Sequence, residues 1–410
     1  MTPRNHTRNH RIVILGAGYA GMTTAIRTAG RLRKAGSINQ AQITLINAEP
    51  VFVERVRLHQ RAAGQRLKKH DIREMLPRSV DFVQAYVSGI DANGKRVVLH
   101  DGRVVEYDTL VYALGSRTSM DLVTGAQQYA VAVEDRDLMD KVAAVGQQRG
   151  NIVVVGGGLT GIEISSEIAE TYPDVHVSVV TSGALGDNLS NTGRAYLHQA
   201  FGQRGIQVID HARVLEVREG EILTAQGSVP FDLCLWAASM KVSDLARQAG
   251  LQVNTSGQIL TDKALRSLSH PDVFAVGDAA TMTEAPVPTR MSCQLAQPQG
   301  AHTADNLARV VLGETVQPFN FRYALLCISL GRSDGLVHVV TPEDVPTERI
   351  FTGRVGAWIK EIIVWSTVFA MKMERWFPGS LPIPAYPHKK HNKATEARRP
   401  LEERTEGQKT

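Results

Sequence analysis

Two glycine-rich turns carry the residues whose types and spacing could do chemistry. The first is Gly16-Ala-Gly-Tyr-Ala-Gly21, which follows the apolar run Ile12–Leu15 and precedes a predicted helix. In a strand–turn–helix setting this spacing binds the pyrophosphate of a dinucleotide. Gly16 permits the tight turn, Gly18 lets the backbone approach the phosphates, and Gly21 lets helix and strand pack closely. The free N–H groups and the positive dipole at the start of the helix would stabilise the negative charge.

The same pattern returns in the middle of the chain. The apolar strand Asn151–Val155 leads into a second turn in which Gly156, Gly158 and Gly161 repeat the spacing. A partial internal duplication is the simplest account. The repetition predicts that one chain holds two dinucleotides. It also predicts an α/β fold with two Rossmann-like dinucleotide-binding domains of the three-layer ββα type, plus a small α+β C-terminal region.

Composition and charge argue against several other classes of protein. The chain has 410 residues, 43% hydrophobic and 21% charged, which suits a globular protein of two or three domains. Its formal net charge of +5 is diffuse, with no basic patch interleaved with aromatics, so we expect no nucleic-acid partner. The cysteines, Cys234, Cys293 and Cys327, lack CxxC or CxxxxC spacing. We therefore expect no metal site, disulfide framework or redox-active dithiol.

The polar N-terminus, 1–10, lacks the apolar core of a signal peptide. No stretch approaches the roughly 20 apolar residues that span a bilayer. Together with the cysteine usage, these features predict a protein of a reducing compartment, the cytoplasm.

Two further short segments accompany the two glycine turns. The four segments are Gly16–Gly21, Ala113-Leu-Gly115, Gly156–Glu163 and Val276-Gly-Asp278. Together they resemble the FAD/NAD(P)-binding, pyridine nucleotide-dependent flavoprotein reductases, and the similarity extends from Arg11 to Pro378. Within that group the chain looks most like the type II NADH dehydrogenases, which are NADH:quinone oxidoreductases. The resemblance implies FAD and NAD(P)H as cofactors, with NADH favoured. It also implies that a hydride passes from NAD(P)H to FAD and electrons then pass to a quinone or another electron acceptor.

The resemblance also assigns roles to residues. The first turn would hold FAD, with Asp278 on the ribityl chain, and the second would hold NAD(P)H, with Glu163 near the nicotinamide. An alternative for Glu163 is a capping box with Thr160. Asn47 and Glu49 end the strand Ala41–Ile46, where an acid usually binds the adenosine ribose. The expected cofactor-binding residues are Gly16, Ala17, Gly18, Gly21, Asn47, Glu49, Ala113, Gly115, Gly277, Asp278, Gly156, Gly158 and Gly161, and the expected catalytic residues are Glu163 and Gln294.

The chain departs from the family at a glutamine motif. Quinone reductases of this family carry A-Q-x-x-x-Q beside the flavin. Gln294 matches the first glutamine, whereas Pro298 stands at the second. Gln297 or Gln299 could serve nearby but would point in another direction on a helix. We predict that this helix runs from Pro298 to Gly313, with the proline in its first turn.

A second departure concerns the nicotinamide nucleotide. The strand that ends at Thr181-Ser182 lacks the acid that selects NADH by binding the ribose 2′-hydroxyl. Thr181 and Ser182 would tolerate a 2′-phosphate, and Arg194 or Arg213 could supply its countercharge. NADPH therefore remains an alternative to NADH as the nicotinamide nucleotide.

An amphipathic helix is predicted over Val355–Phe377. Its apolar face is formed by Trp358, Ile362, Trp365, Phe369 and Trp376. The resemblance implies peripheral membrane contact through 355–377 on the cytoplasmic face. Interfacial anchors would be the tryptophans and the cations near the helix ends, Lys360, Lys372 and Arg375. The alternative is that this face is buried against its own sheet or in a homodimer.

The predicted domain organisation has five segments. They are 11–117 and 258–315 for the FAD-binding domain, 118–257 for the NAD(P)H-binding domain, 316–379 for the C-terminal β meander and amphipathic helix, and 380–410 for a disordered tail. The leading hypothesis is a membrane-associated NAD(P)H:quinone reductase. One alternative is a soluble reductase with a carrier-protein or small-molecule acceptor. The other is a nucleotide-sensing flavoprotein that binds a partner without turnover.

Overall fold

The apolar runs that precede the two glycine turns each form the central strand of a five-stranded parallel sheet. The computed structural model describes residues 9–285 and 289–384. The first sheet has the strand order Val273–Ala275, Thr109–Tyr112, His10–Leu15, Ala41–Asn47 and Val80–Gln84. The second has the order Ala130–Ala132, Leu233–Trp236, Asn151–Val155, His176–Val180 and Gln207–Ile209. Strands buried on both faces explain why these runs are almost wholly Val, Ile and Leu.

Each parallel sheet is the middle layer of three. Ile12 and Ile14 pack with the helices, whereas Val13 and Leu15 face the other way, toward an antiparallel meander. The second sheet repeats the alternation, because successive side chains of a strand point to opposite faces. The meanders are Val87–Asp91, Arg96–Leu99 and Val104–Glu106 in the first unit, and Val214–Arg218, Glu221–Thr224 and Gly227–Pro230 in the second. The predicted fold class, two Rossmann-like ββα units, is confirmed.

The helices that matter for the glycine turns begin directly after them, at Tyr19 and at Leu159. Both helices are preceded by a glycine and have no side-chain cap. Their first N–H groups therefore remain available to a ligand. The helices of the described chain are Tyr19–Lys34, Leu58–Ala62, Ile72–Met75, Ala126–Tyr129, Leu138–Gln148, Leu159–Thr171, Asn191–Gln203, Leu245–Gln248, Cys293–Val311 and Gly353–Trp376, with 3₁₀ turns at Ile38–Gln40, Arg55–Arg57 and Gly277–Ala279.

Three short two-stranded sheets accompany the larger ones. Ser116–Thr118 pairs with Met240–Val242, Ile259–Thr261 pairs with Ala280–Met282, and Val51–Phe52 pairs with His70–Asp71. The first of them joins the two points at which the chain passes between the parallel sheets. The division into domains stays a prediction. Val242, Ala246 and Leu251 lie in the core between the first sheet and its meander, so the chain before residue 258 already packs with the first unit.

The C-terminal region is the small α+β unit that the sequence predicts. An antiparallel sheet of Leu325–Ser329, Gly335–Val340 and Pro346–Phe351 is followed by the C-terminal helix, Gly353–Trp376. Most of the predicted tail, 380–410, lies outside the described residues. The described start of that segment is anchored, since Leu381 N donates to Glu374 and Arg27 donates to Leu381 O at 3.1 Å.

The helix predicted to start at Pro298 begins earlier. It runs from Cys293 to Val311, with Ser292 before it and Pro298 inside it. The interpretation of Pro298 as a first-turn residue is therefore wrong. The proline removes the N–H that would reach the carbonyl of Gln294, a loss that the close packing of this helix against Tyr19–Lys34 can offset. Gly300 permits this approach, because a Cβ there would lie 2.4 Å from Ala20 O.

Candidate functional site

The first glycine turn packs so tightly that glycine is required at two of its three positions. Gly16 has φ +96°, and a Cβ added there would lie 2.4 Å from Ala113 O. A Cβ on Gly21 would lie 1.9 Å from Gly16 O. Gly18 differs, because it is exposed and a Cβ would meet no atom within 4 Å. Open space in front of unpaired helical N–H groups fits the pyrophosphate of FAD.

Asn47 supports this turn from the next strand. Its Oδ1 accepts from Ala17 N at 3.0 Å, and its Nδ2 donates to Glu49 O at 2.8 Å. The exposed Glu49 carboxylate pairs with Arg136. Both residues stay predictions as ribose ligands. Since the side-chain amide of Asn47 already binds the turn, we expect Glu49 to accept the hydrogen bond from a ribose hydroxyl.

The Gly-Asp segment lies against the same helix. Gly277 has φ +70°, and a Cβ there would lie 3.4 Å from Ala20 Cβ. Gln299 Oε1 accepts from Gly277 N at 2.7 Å, and Ser116 Oγ donates to Asp278 Oδ2 at 2.7 Å. Asp278 is therefore held between the Ala113–Gly115 turn that precedes Ser116 and the helix that carries Ala20. This position is compatible with the predicted contact to the ribityl chain.

The second glycine turn repeats the geometry of the first and opens into a large cavity. Gly156 has φ +121°, a Cβ on Gly161 would lie 1.8 Å from Gly156 O, and Gly158 is exposed with no atom within 4 Å of its Cβ position. The cavity has a volume of about 1320 Å³, and Thr181, Ser182, Arg213, Trp236 and Ala237 are among its lining residues. A site with an open helix start and this volume can hold a nicotinamide dinucleotide.

A cluster of charged side chains lies behind this turn, where Glu163 is the fifth residue of its helix. Lys360 Nζ donates to Glu163 Oε1 at 2.5 Å, and Ser329 N donates to the same atom at 3.0 Å. His59 Nδ1 lies 3.4 Å from Glu163 Oε2. Glu167, one turn further along, is fully buried and accepts from Ser329 Oγ at 3.2 Å.

The protonation of the cluster follows from burial and charge. Burial disfavours the charged form of Glu163, but the Lys360 ammonium and the hydrogen bond from Ser329 N outweigh it and leave the pKa of this carboxyl below its usual range. Burial raises the pKa of Glu167. Burial also lowers the pKa of His59 to about 3, so its imidazole is neutral at pH 7. The cluster thus holds a charged Glu163–Lys360 pair beside a neutral histidine. It can hold or release a proton at the Oε1–Nζ hydrogen bond.

Two sequence interpretations of these residues are wrong. Thr160 does not cap the helix, because Gly158 occupies the N-cap position and Thr160 lies within the first helical turn. Lys360 is not an interfacial anchor, because it is 8% exposed and turned toward Glu163. A signal for the lysine was present, since it shares the helix face of Val364 and Met371, which are buried. A lysine within an apolar stripe is expected to have a buried partner.

Gln294 is tied to a residue that the sequence did not single out. Arg290 Nη2 donates to Gln294 Oε1 at 3.1 Å, and the same guanidinium lies 3.0 Å from Asp344. Arg290 and Asp344 also line the nucleotide cavity. Each neighbouring glutamine forms a hydrogen bond with a backbone group, and both stay predictions as substitutes for the missing one. Gln297 Nε2 donates to Thr367 O at 2.8 Å, and Gln299 Oε1 accepts from Gly277 N, whereas Gln299 Nε2 is buried without a hydrogen-bond partner among the described residues.

The thiols of the described chain are free. Burial raises the pKa of Cys293 to about 11 and the pKas of Cys234 and Cys327 to about 12. All three are therefore protonated at neutral pH, and a protonated thiol is a poor nucleophile.

Two glycine turns of this geometry, each at the central strand of its own parallel sheet, define an oxidoreductase of the two-dinucleotide type. Residues 10–301 match the family described as pyridine nucleotide-disulphide oxidoreductase, and the chain belongs to that family. This confirms the predicted class, an enzyme that combines FAD with a nicotinamide dinucleotide.

Individual proteins resemble the chain over most of its length. A type II NADH:quinone oxidoreductase of Staphylococcus haemolyticus is 29% identical over 402 aligned residues, which cover 88% of this chain and 95% of the relative. The solved sulfide:quinone oxidoreductase of Aquifex aeolicus has a TM-score of 0.76 at 16% identity, covering 92% of this chain and 97% of that one. NDH2 of Plasmodium falciparum, solved in complex with NADH, has a TM-score of 0.72 at 14% identity. The match covers 90% of this chain and 99% of that one. These two structures share the fold.

Proposed function

We propose that this protein is an FAD-dependent NAD(P)H:quinone oxidoreductase that works at a membrane surface. The relative from Staphylococcus haemolyticus supports the proposal, because it bears that activity in its name and aligns beyond the two dinucleotide units. Bound FAD would supply the two-electron chemistry, accepting a hydride from the nicotinamide and passing the electrons to the quinone. The reaction converts NAD(P)H, one proton and a quinone into NAD(P)⁺ and a quinol.

The observation that carries the proposal is the two-faced C-terminal helix. Its outer face exposes Trp358, Trp365 and Phe369, and its inner face delivers Lys360 to Glu163. One element therefore links an exposed apolar surface to the charged cluster behind the nucleotide turn. An apolar acceptor that must also be protonated requires both an apolar approach and a proton source.

The Glu163–Lys360 pair can provide that proton source. Quinone reduction takes up one proton from solution for each hydride delivered. Glu163 is held in place by Ser329 N and Lys360, and Lys360 also lines a cavity of about 350 Å³ together with Arg332 and the exposed Trp358. We propose that Glu163 relays a proton here along its hydrogen bond with Lys360, as a positioned acid–base group can.

A second candidate acceptor is a carrier protein or a small polar molecule. The observation that favours it is the broken glutamine motif. Pro298 has no side-chain amide, Gln297 donates to Thr367 O, and Gln299 Oε1 accepts from Gly277 N. Within the described residues, Gln294 is the one glutamine of this segment with a hydrogen bond to Arg290, which lines the cavity.

Anaerobic stopped-flow spectroscopy tests the function directly. NADH or NADPH should bleach the flavin absorbance of the purified holoprotein within one turnover. A short-chain quinone should then restore that absorbance at least a hundredfold faster than a buffer control. Bleaching that quinone cannot reverse would overturn the quinone assignment and favour the second candidate. A flavin that neither nucleotide bleaches would favour a nucleotide-sensing protein without turnover.

We further propose peripheral attachment to the cytoplasmic face of a membrane. Among residues 9–285 and 289–384, no helix has the length and apolar content to cross a bilayer. The outer face of the C-terminal helix instead matches a helix that lies in the interface. Trp358, Trp365 and Trp376 are 67%, 57% and 72% exposed, and Arg375 lies over the Trp376 ring. Aromatic rings and cations of this kind anchor interfacial helices.

The double variant Trp358→Ser/Trp365→Ser should reduce binding to anionic lipid vesicles at least tenfold. Each tryptophan that leaves the interface forfeits about 1.5–3 kcal/mol of apolar burial. The Trp365 ring also stacks on Phe369, at a centroid distance of 4.6 Å. Vesicle co-sedimentation measures the effect. Tyr86→Ser is the matched control, because Tyr86 is 64% exposed in the loop before strand Val87–Asp91 and its loss should leave binding unchanged.

Equal sedimentation of the double variant and the wild type would contradict membrane attachment. If the exposed face instead forms a homodimer, light scattering should report a dimer for the wild type and a monomer for the double variant without vesicles. Measurements on the wild type and the double variant therefore distinguish membrane attachment from dimerisation.

A further inference from the structure

The adenosine end of the nucleotide cavity differs from an NADH-selective site. Strand His176–Val180 ends beside the second glycine turn, where Gly156 N donates to Val180 O at 2.8 Å. In dinucleotide-binding units an acid at this strand end binds the ribose 2′-hydroxyl, whereas an arginine nearby accommodates a 2′-phosphate. Here the chain continues from the strand into Thr181 and the exposed Ser182. The position therefore carries a hydroxyl in place of a carboxylate.

The acids nearest to this position are engaged elsewhere. Asp210 follows the neighbouring strand, and its Oδ1 accepts from Leu185 N at 2.8 Å. Asp187 lines the cavity, but its Oδ2 accepts from Ala184 N at 3.1 Å and its Oδ1 lies 3.6 Å from Arg194. The first turn of the helix that follows the glycines has no acid. Neither Asp210 nor Asp187 therefore offers a carboxylate that is both unpaired and placed at the strand end.

The side chain of Arg213 lies at the same end of the nucleotide cavity. His211 N donates to Gly183 O at 3.1 Å, and Ala212 N donates to Thr181 O at 2.8 Å. These bonds place the segment that ends in Arg213 alongside the strand end. Arg213 is exposed and lines the cavity together with Ser182. Within 9–285 and 289–384 its guanidinium has no ion-pair or hydrogen-bond partner.

We propose that Arg213 and Ser182 form a subsite for the ribose 2′-phosphate, and that the protein oxidises NADPH at least as efficiently as NADH. A planar guanidinium can donate two parallel hydrogen bonds to a phosphate, and the Ser182 hydroxyl can donate a third. Asp187 is the one carboxylate lining this part of the described cavity. Its repulsion is moderated by solvent exposure and by Arg194. This inference rests on the proposed NAD(P)H-dependent function.

Equilibrium binding tests the subsite without any turnover. Titration calorimetry of the holoprotein should give ADP-ribose 2′-phosphate at least a fivefold lower Kd than ADP-ribose. Arg213→Gln should remove that advantage, and Ser182→Asp should invert it. Arg218→Gln is the matched control, because Arg218 lies on the following strand, pairs with Glu216 and is not a cavity residue. It should leave the ratio of the two Kd values unchanged.

Flavin reduction gives the second readout. The ratio of kcat/KM for NADPH to kcat/KM for NADH should be one or higher in the wild type. It should fall at least tenfold in Arg213→Gln. Wild-type protein that binds the 2′-phosphate ligand more weakly than ADP-ribose would overturn the subsite, even if NADH bleaches the flavin. If neither nucleotide bleaches the flavin, the proposed function fails while the titration still decides on the subsite.

Discussion

The variant Gly21→Ala should lose bound FAD and about 3 kcal/mol of stability. The added Cβ would lie 1.9 Å from Gly16 O and 3.4 Å from Ala113 Cβ. The nearer atom is backbone, and it belongs to a turn whose Gly16 already has φ +96°. The helix would have to move away from the strand, and overpacking of this kind typically costs about 1–3 kcal/mol. The helix start would then no longer face the phosphates.

Two matched variants separate binding from folding. Gly18→Ala adds the same methyl group into open space, and its φ of −76° suits alanine. Its unfolding midpoint in urea should equal that of the wild type, while its affinity for FAD should fall at least tenfold because the methyl group occupies the phosphate approach. Gly202→Ala, also in open space, lies on another helix and should preserve both properties. Flavin absorbance per protein measures loading. Full loading of Gly21→Ala would refute the assignment of this turn.

The fold could be predicted from the sequence because its signals are local. An apolar strand, three glycines at fixed spacing and the start of a helix are adjacent in the chain, and the pattern occurs twice. The layer structure also follows from local alternation, as with Ile12 and Val13 on opposite faces of one strand. Sterics then leave few ways to pack such units.

The charged cluster could not be predicted, because its members meet only through tertiary packing. Glu163 and Lys360 are 197 positions apart, and His59 comes from a third element. Local reasoning instead matched Glu163 with Thr160, which is close in sequence but does not cap the helix. Gln297 shows the same limit. Its hydrogen bond to Thr367 O reaches another helix, and the sequence gives no sign of that contact. Local reasoning therefore treated Gln297 as a substitute for the missing glutamine.

The pair Glu163–Lys360 allows the strongest test of the proposed mechanism, because stability and turnover should respond differently to its removal. Lys360→Met leaves the carboxylate in a buried site beside Glu167, and Glu163→Gln leaves the ammonium beside a neutral His59. Breaking a buried pair by removing one partner costs about 3–5 kcal/mol. Each single variant should therefore unfold at a clearly lower urea concentration than the wild type.

The double variant Glu163→Gln/Lys360→Met should recover at least half of that loss. No unpaired charge of the pair remains, and the glutamine oxygen can still accept from Ser329 N. Replacing a buried ion pair by neutral groups of similar size is often neutral in stability. As a control, Lys263→Met removes an exposed lysine that pairs with Glu284, and it should not shift the unfolding midpoint.

Turnover should not recover with stability. If Glu163 relays a proton to the quinone, then Glu163→Gln and the double variant should both reoxidise about 100-fold more slowly with quinone than the wild type, since a positioned acid–base group contributes about 10²–10⁴ in rate. Flavin reduction by NAD(P)H should change much less, because that step takes up no proton. Stopped-flow measurement of the two half-reactions separates these effects. A double variant that regains both stability and quinone turnover would show that the carboxylate only balances the charge of Lys360, and the proton source would then have to lie elsewhere.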